Sequence, residues 1–302
     1  MTWTLAIPSK RGYEGVVFRF IERSSIMAIS EVSLTAGARA NLLSLQQTAS
    51  LLNTTQGRLS SGKKVASALD GATAYFASVG FLNRANDLSN IKDGLSNALS
   101  TVKSASLTID SITKIVQQAQ GLTTSALQTT DATSRSGLAV QFNDLLVQVN
   151  SLVNDATFNG SNLIGSVGIS LVVYFNESNT SKLTITSSNL SIDTTLGLSV
   201  AVAANGFVSD TDVNTAVSQL STALTKLRTV ASSFGNNTTV ITTRQDFTTN
   251  LISNLQNASD ALTLADTNEE GANLQALQAR NSLGITSLGI SGQLQQAILK
   301  LF

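Results

Sequence analysis

Two glycines and two lysines near residue 60 come close to the pattern of a phosphate-binding loop. Gly57 and Gly62 have the required spacing, and Lys63 follows the second glycine. The next position needs a Ser or Thr hydroxyl to hold Mg²⁺, but it is Lys64, and the residues before the motif have helical periodicity where a strand is required. A nucleotide-binding enzyme would depend on this motif. We interpret it instead as a turn that ends a helix and carries two solvated lysines.

An acidic motif further along the chain imitates the start of a calcium loop. Asp210, Asp212 and Asn214 have the alternating spacing of its first ligands. The glycine that such a loop needs for its turn is replaced by Thr215, and the position of the bidentate glutamate is Ser221. We therefore expect Asp212 to cap a helix, and we predict no metal site.

The adjacent carboxylates Glu269 and Glu270 could be read as a pair for acid–base chemistry. Neighbouring side chains on a helix point about 100° apart, and nothing in the sequence predicts the burial that would raise a pKa. A solvated helix face is the expected environment. The chain also has no His and no Cys, which removes histidine acid–base chemistry, thiolate nucleophiles and the ordinary zinc and haem sites. We predict that the protein is not an enzyme and needs no cofactor.

The charge and hydropathy of the chain limit the classes of partner that it is expected to bind. Nineteen basic residues balance nineteen acidic ones among 302 residues, so no net field attracts nucleic acid or an anionic membrane. The sequence contains no run of about 18 apolar residues, so no transmembrane helix is expected. Charged residues make up only 13%, about half the usual share. Helix faces covered by uncharged polar residues suit packing on several sides, which indicates an assembly.

The first 26 residues differ in character from the rest. They contain Pro8, the one proline of the chain, and four of its basic residues. They lack the apolar stretch and the small-residue cleavage site of a secretory signal peptide. Because a second methionine, Met27, begins a segment of different composition, we expect residues 1–26 to be an upstream extension of the functional protein.

Apolar residues spaced alternately by three and four predict long helices at both ends of the chain. We call each such stripe a heptad seam. Gly62 is the expected C-cap of the first helix, and Asp131 or Ser134 the expected N-cap of the third. Glu269 is out of character in the last seam, which begins after Gly235. The seams cover residues 38–59, 102–119, 138–152, 213–227 and 251–283.

In residues 165–208 the spacing of the apolar residues changes from a helical period to a period of two. Two β-branched runs, 169–175 and 183–186, flank a turn-like Asn176–Asn179 segment and predict a hairpin. Two strands alone are marginal, so the hairpin must lean on the helices or on a third strand near Leu198–Val202. The predicted fold class is mainly α, with long antiparallel coiled-coil-like helices from the N- and C-terminal regions and a small β-hairpin insert.

Several segments together carry a family resemblance. Residues 58–68 read RLSSGKKVASA and are similar to the pattern RLSSG-x-x-(I/V)-x-SA, while residues 156–163 read ATFNGSNL and are similar to T-x-FNG-x-x-L. Residues 91–94 and 268–302 match as well. From Met27 onward the sequence resembles bacterial flagellin, the subunit of the flagellar filament, in a short form with a small middle region.

The resemblance implies an organisation beyond the extension at residues 1–26. Residues 27–165 would be the N-terminal helical region, 166–211 a variable β-rich insert that faces outward, and 212–302 a C-terminal helical region that pairs with the N-terminal one. It also implies a structural subunit that polymerises into the filament for swimming motility. The partners implied are further copies of the chain, the flagellar export apparatus, an export chaperone, the filament cap and the hook-junction proteins. The implied location is extracellular, reached through the flagellar secretion channel without a Sec signal peptide.

The terminal seams contain the residues that we expect at the assembly interface. These are Leu42, Leu45, Leu52, Leu59, Leu283, Leu294, Ile298 and Leu301. In some flagellins a Toll-like innate-immune receptor recognises an Arg and a Glu of the second helix. The resemblance places Lys114 and Gln117 at those positions, where the planar fork and the negative charge are lost. We therefore expect a degenerate receptor segment.

Two other functions remain open at this point. A hook–filament junction protein of the same superfamily would share the terminal helices but occur in few copies. A coiled-coil secretion-apparatus protein would explain the heptads without explaining the RLSSG and FNG segments.

Overall fold

The computed structural model describes residues 36–192 and 197–300. Within these ranges the chain forms five α-helices and four short strands, which confirms the mainly α fold class. The expected extension, residues 1–26, lies outside the described residues. The elements are α1 (Ala36–Ser61), α2 (Ala68–Gln128), α3 (Ala132–Asp155), β1 (Thr157–Phe158), β2 (Ser161–Asn162), β3 (Ser170–Tyr174), β4 (Lys182–Thr186), α4 (Asp210–Thr263) and α5 (Thr267–Leu299).

The chain divides into two compact units. The central unit, Thr54–Asn273, contains α2, α3, α4 and the four strands. The terminal unit contains the described residues 36–53 and 274–300, which are most of α1 and most of α5. No described helix combines the length and the hydropathy that a bilayer span requires.

The core of the central unit lies between α2, α3 and α4. The predicted seam of α2 is confirmed, because each of its residues from Val102 to Ala119 is at most 1% exposed. Helix α3 contributes Phe142 and Val149 to this core, and α4 contributes Leu220. Burial of each large apolar side chain contributes about 1.5–3 kcal/mol. This core therefore supplies much of the free energy that offsets closing the loop between α2 and α4.

Helices α2 and α4 run antiparallel. Near the middle of α2, Gln245 Nε2 donates to Ser96 Oγ at 2.8 Å. Closer to the start of α2, Leu88 and Leu255 belong to one apolar cluster. Helix α2 from the N-terminal part of the chain and helix α4 from the C-terminal part thus pair within the central unit, in agreement with the predicted fold class.

The last predicted seam is only half correct. Helix α4 passes through Gly235 without a break, and residues 251–262 follow the predicted spacing. The helix ends at Thr263 and α5 begins at Thr267. This short break changes the helical phase, so that Leu277 faces inward at 8% exposure. The predicted seam residues that are exposed instead are Glu269, Ala272, Ala276, Ala279 and Leu283.

The predicted hairpin forms and leans on the helices. Strand β3 pairs antiparallel with β4, and Val173 and Ile185 belong to the core of the central unit. A smaller hairpin joins β1 and β2 through Asn159 and Gly160, which have φ values of 48° and 77°. Positive φ at both central residues is typical of a type I′ turn, for which Asn-Gly is the preferred sequence.

Of the two supports expected for the hairpin, the helices are found, and a third strand near Leu198–Val202 does not form in the described part of the chain. Leu198 and Val200 are buried, but no strand includes them in the described part of the chain. Side chains bind the backbone of this segment instead. Gln219 Oε1 accepts from the Ala201 N–H at 3.0 Å, and Asn143 Oδ1 accepts from the Ala203 N–H at 2.8 Å. Alternating burial also occurs in extended segments that pair with side chains, so the pattern alone does not specify a strand.

The helix N-termini follow capping chemistry, with one correction. Asp131 accepts from the Ser134 N–H at 2.7 Å and caps α3, as predicted. The cap of α4 is Ser209, where we expected Asp212. The Ser209 hydroxyl accepts from the Asp212 N–H at 3.2 Å and donates to the Asp212 carboxylate at 2.8 Å. Asp212 therefore lies three residues inside, where an acidic residue also favours the helix N-terminus.

Hydrogen bonds to two capping carboxylates lower their pKa values. Bonds from the Ser67 side chain and backbone lower the pKa of Asp70 below its ordinary value of 3.8. Bonds from Ser134 lower the pKa of Asp131 in the same way. Each carboxyl therefore binds a proton more weakly in the folded chain than in the unfolded chain. Their stabilising effect is complete above the ordinary pKa and is lost as the pH falls through the lowered folded value.

We expect Asp131→Asn to make the chain less sensitive to acid. Asparagine still accepts the Ser134 N–H as an N-cap, but it does not titrate. The decrease in urea-unfolding midpoint between about pH 6 and about pH 3 should be smaller in the variant than in the parent. Asp110→Asn is the control, because Asp110 is exposed on α2 and its side chain has no hydrogen bond within the described residues. An equal effect of both substitutions would contradict the prediction.

Candidate assembly surface

The phosphate-loop-like motif lies at the C-terminal end of α1, a helix, where a phosphate loop would follow a strand. Gly62 has a φ of 68°, so the predicted helix C-cap is confirmed. Lys63 forms a β-bridge with Leu264, and the Lys64 N–H donates to the Thr263 carbonyl at 2.8 Å. The backbone groups that would surround a phosphate are used in this pairing. The side chains of both lysines are exposed.

A residue of the calcium-like motif also makes a structural contact. Arg135 on α3 is 7% exposed and forms an ion pair with Asp210. Its guanidinium also donates to the carbonyls of Thr129 at 2.7 Å and Val208 at 3.0 Å. No cluster of three acidic residues that could hold a metal ion occurs in the described ranges. Asp210 is thus part of a structural contact, and Arg135 is a residue that the sequence reasoning missed.

The predicted solvated face holds for Glu269 and is wrong for Glu270. Glu269 is exposed, but Glu270 is 7% exposed and its Oε1 accepts from Arg58 Nη1 at 3.0 Å. The partner lies 212 residues away in the sequence, so local periodicity could not reveal it. This ion pair joins the end of α1 to the start of α5 inside the central unit. The Glu270 carboxylate therefore makes a structural contact.

In the terminal unit α1 and α5 run antiparallel and touch through small and polar groups. Asn41 Nδ2 donates to Ser287 Oγ at 3.1 Å. Leu45 packs on Gly284, where an added Cβ would lie 3.0 Å from Leu45 Cγ and Cδ2. A larger residue at position 284 would therefore press on the Leu45 side chain, which would have to shift by a few tenths of an ångström. We call residues 36–53 and 274–300 the terminal helix pair.

Large apolar side chains of this pair remain uncovered. Each of seven leucines and isoleucines is between 38% and 70% exposed. Exposed apolar side chains in this number indicate a surface that another protein covers. We call these residues the terminal apolar surface, which consists of Leu42, Leu43, Leu51, Leu283, Ile285, Ile290 and Leu294.

The predicted interface residues differ in their exposure. The exposed ones are Leu42, Leu59, Leu283 and Leu294, and the partly buried ones are Leu45 and Leu52. Ile298 lies on α5, and Leu301 lies outside the described residues. Lys114 and Gln117 are exposed one turn apart on α2. The roles of all of these residues in assembly or receptor recognition stay predictions.

Comparison with known proteins identifies the family. A family model described as the bacterial flagellin N-terminal helical region matches residues 32–167. Flagellin FljO of Caulobacter vibrioides is 30% identical to this chain over 277 residues, which cover 91% of the chain and the whole of that relative. The chain belongs to the flagellin family.

Other flagellins are similar over the same extent. Flagellin FljM of Caulobacter vibrioides is 28% identical, and a flagellin of Brucella melitensis is 27% identical, each over 91% of this chain. A crystal structure of Bacillus cereus flagellin, 18% identical, is similar with a TM-score of 0.45 over 51% of this chain and 88% of that one. Flagellins are structural subunits of the extracellular flagellar filament, whose general role is motility. This family role is structural and fits a protein without catalysis.

Proposed function

We propose that copies of this flagellin pack against each other in the filament through the terminal apolar surface. The observation that carries this proposal is the exposure of seven leucines and isoleucines on two helices. Covering a large apolar side chain contributes about 1.5–3 kcal/mol. Because the seven residues are 38–70% exposed, covering all of them contributes roughly 5–15 kcal/mol, which is comparable to the loss of translational and rotational freedom on association, about 4–15 kcal/mol. A head-to-tail contact that does not close into a ring then produces an open helical filament.

The low charge of the terminal helix pair supports the same proposal. Its only charged residues within the described part of the chain are Arg39, Arg280 and Lys300. Uncharged polar side chains surround the apolar residues instead. Neighbouring copies can therefore cover several faces of each helix without the cost of desolvating many ions.

We also propose how the regions of the chain are distributed in the filament. The terminal helices of regions 27–165 and 212–302 would form the inner tube. The helices around 92–155 and 212–245 would form the surrounding layer, and the insert 166–211 would face solvent. The continuous core shared by α2, α3 and α4 supports placing these helices together in one layer.

Export through the flagellar secretion channel is the proposed route to the filament, and an export chaperone, the filament cap and the hook-junction proteins are the proposed partners. The composition is compatible with passage of an unfolded chain. Without Cys no disulfide needs reduction, and with one Pro slow prolyl isomerisation is confined to a single bond.

Electron microscopy of the purified, seeded full-length chain tests the assembly proposal. We expect tubes of uniform diameter, and amide exchange in residues 36–53 and 274–300 that is much slower in the polymer than in the monomer. A concentrated and seeded sample that stays monodisperse with these residues already protected would refute the proposal. Abundance in sheared filaments separates a filament subunit from a hook–filament junction protein, which would be present in few copies.

A further inference from the structure

A cleft with an apolar wall and a polar rim lies within the central unit, between α2 and the two hairpins. Its volume is about 390 Å³, which is in the range of sites for small molecules. Its apolar wall includes Ala98 on α2 and Val173 on β3, which are 6% and 4% exposed. The assembly proposal does not use this cleft, because its residues are outside the terminal apolar surface.

Four asparagines from three elements form the rim of the cleft. Asn90 and Asn97 lie two turns apart on one face of α2, Asn159 is in the β1–β2 turn, and Asn179 is in the β3–β4 turn. Within the described residues none of these four side-chain amides makes a hydrogen bond. Each amide offers two donors and an acceptor oxygen. All four residues are exposed, so the rim presents hydrogen-bonding groups to solvent from several directions.

The free edge of β3 adds backbone groups to this rim. The Phe175 N–H donates to the Ser181 carbonyl. The backbone N–H and C=O groups of the odd-numbered residues of β3 therefore point toward β4. The N–H and C=O groups of Val172 and Tyr174 therefore point away from β4, and both residues line the cleft. The Tyr174 side chain is 42% exposed, so its ring is accessible for stacking.

These groups define the chemistry of the ligand. None of the described residues that line the cleft is charged, so an anion or a cation would find no ionic partner there. Amides, backbone groups and an exposed aromatic ring together suit a molecule with many hydroxyls and an apolar C–H face. An extended peptide fits less well, because Val172 and Tyr174 are the only residues of the free edge of β3 that line the cleft. We propose that the cleft binds a neutral sugar through one pyranose ring.

Gly94 provides a way to close the cleft without disturbing the fold. It lines the cleft on α2, and an added Cβ would meet no atom within 4 Å. Gly94→Leu should therefore fill the space between Asn90 and Asn97 and also favour the helix. The matched control is Gly121→Leu, because Gly121 is exposed on the same helix outside the cleft and has equally open space.

The test is binding of three neutral probes to the full-length chain kept monomeric. Methyl glucopyranoside, methyl galactopyranoside and methyl mannopyranoside would be titrated by calorimetry and by saturation-transfer NMR. We expect saturable binding of at least one probe, about tenfold or more weaker in Gly94→Leu and within about twofold of the parent in Gly121→Leu. Absence of saturable binding to the parent chain, or unchanged binding in Gly94→Leu, would overturn the proposal. Because the measurement uses monomers, its failure would leave the assembly proposal untouched.

Discussion

Arg135→Ala is expected to lower the free energy of unfolding of the central unit by about 2–3 kcal/mol. The guanidinium is buried between α3 and the segment before α4, where it donates to the carbonyls of Thr129 and Val208. Alanine would remove this donor from both carbonyls and would also remove the packing of the arginine side chain, which is 7% exposed. The Asp210 side chain is 68% exposed, so solvent screens its carboxylate and the ion pair accounts for a small share of the loss.

Two further variants define the role of Arg135. Arg228→Ala removes an exposed arginine from α4 and should cost less than about 0.5 kcal/mol. Arg135→Lys should fall between the two, because an ammonium keeps the charge but cannot direct the planar fork of N–H groups at three acceptors. Equilibrium urea unfolding of the monomeric chain, followed by circular dichroism, measures all three. If Arg135→Ala costs no more than Arg228→Ala, the buried contact does not stabilise the unit.

Local patterns were sufficient for most of the helices and for the hairpin. The α2 seam lies in the core because its apolar residues recur at helical spacing over several turns, a repetition that is typical of a buried helix face. Capping by Asp131, the Gly62 C-cap and the Asn159-Gly160 turn follow from the chemistry of single residues or pairs. In each case the information lies within a few positions of the feature that it specifies.

Contacts between distant residues could not be predicted in the same way. Arg58 and Glu270 lie 212 residues apart, and neither has a local feature that identifies its partner. Arg135 offered a weak signal, because it precedes Ala139 and Phe142 at spacings of four and three, in line with buried residues of α3. A charged residue in such a line is a reason to expect a buried ion pair. The identity of its partners still requires the structure.

The candidate assembly surface was only partly predictable for a different reason. Heptad spacing marks an apolar stripe, but a stripe covered within the chain and one covered by another copy have the same pattern. Leu277 and Leu283 lie six positions apart on α5. Leu277 is covered within the chain at 8% exposure, whereas Leu283 is 70% exposed. The break between Thr263 and Thr267 determines which residues of α5 are buried. The sequence does not reveal this three-residue break, because heptad seams in this chain also contain single polar residues.

Leu294→Asp is expected to abolish filaments while leaving the monomer folded and secreted. Leu294 is 61% exposed in the single chain, so aspartate there costs little before assembly. In a filament that covers this position, each subunit would bury a carboxylate in an apolar contact without a partner. A penalty of about 3 kcal/mol per subunit raises the concentration required for polymerisation about 100-fold. Electron microscopy of cells, together with immunoblots of flagellin in the medium, measures both results.

Leu294→Met is the matched control, because methionine keeps the apolar volume and a good helix propensity. It should form filaments of ordinary length. Leu45→Asp should also abolish filaments, and because Leu45 packs on Gly284 it should in addition loosen the terminal helix pair in the monomer. Slower amide exchange in residues 36–53 of Leu294→Asp than of Leu45→Asp would separate the loss of subunit contacts from the loss of helix pairing. Filaments of ordinary length from both aspartate variants would exclude the terminal apolar surface as the subunit interface.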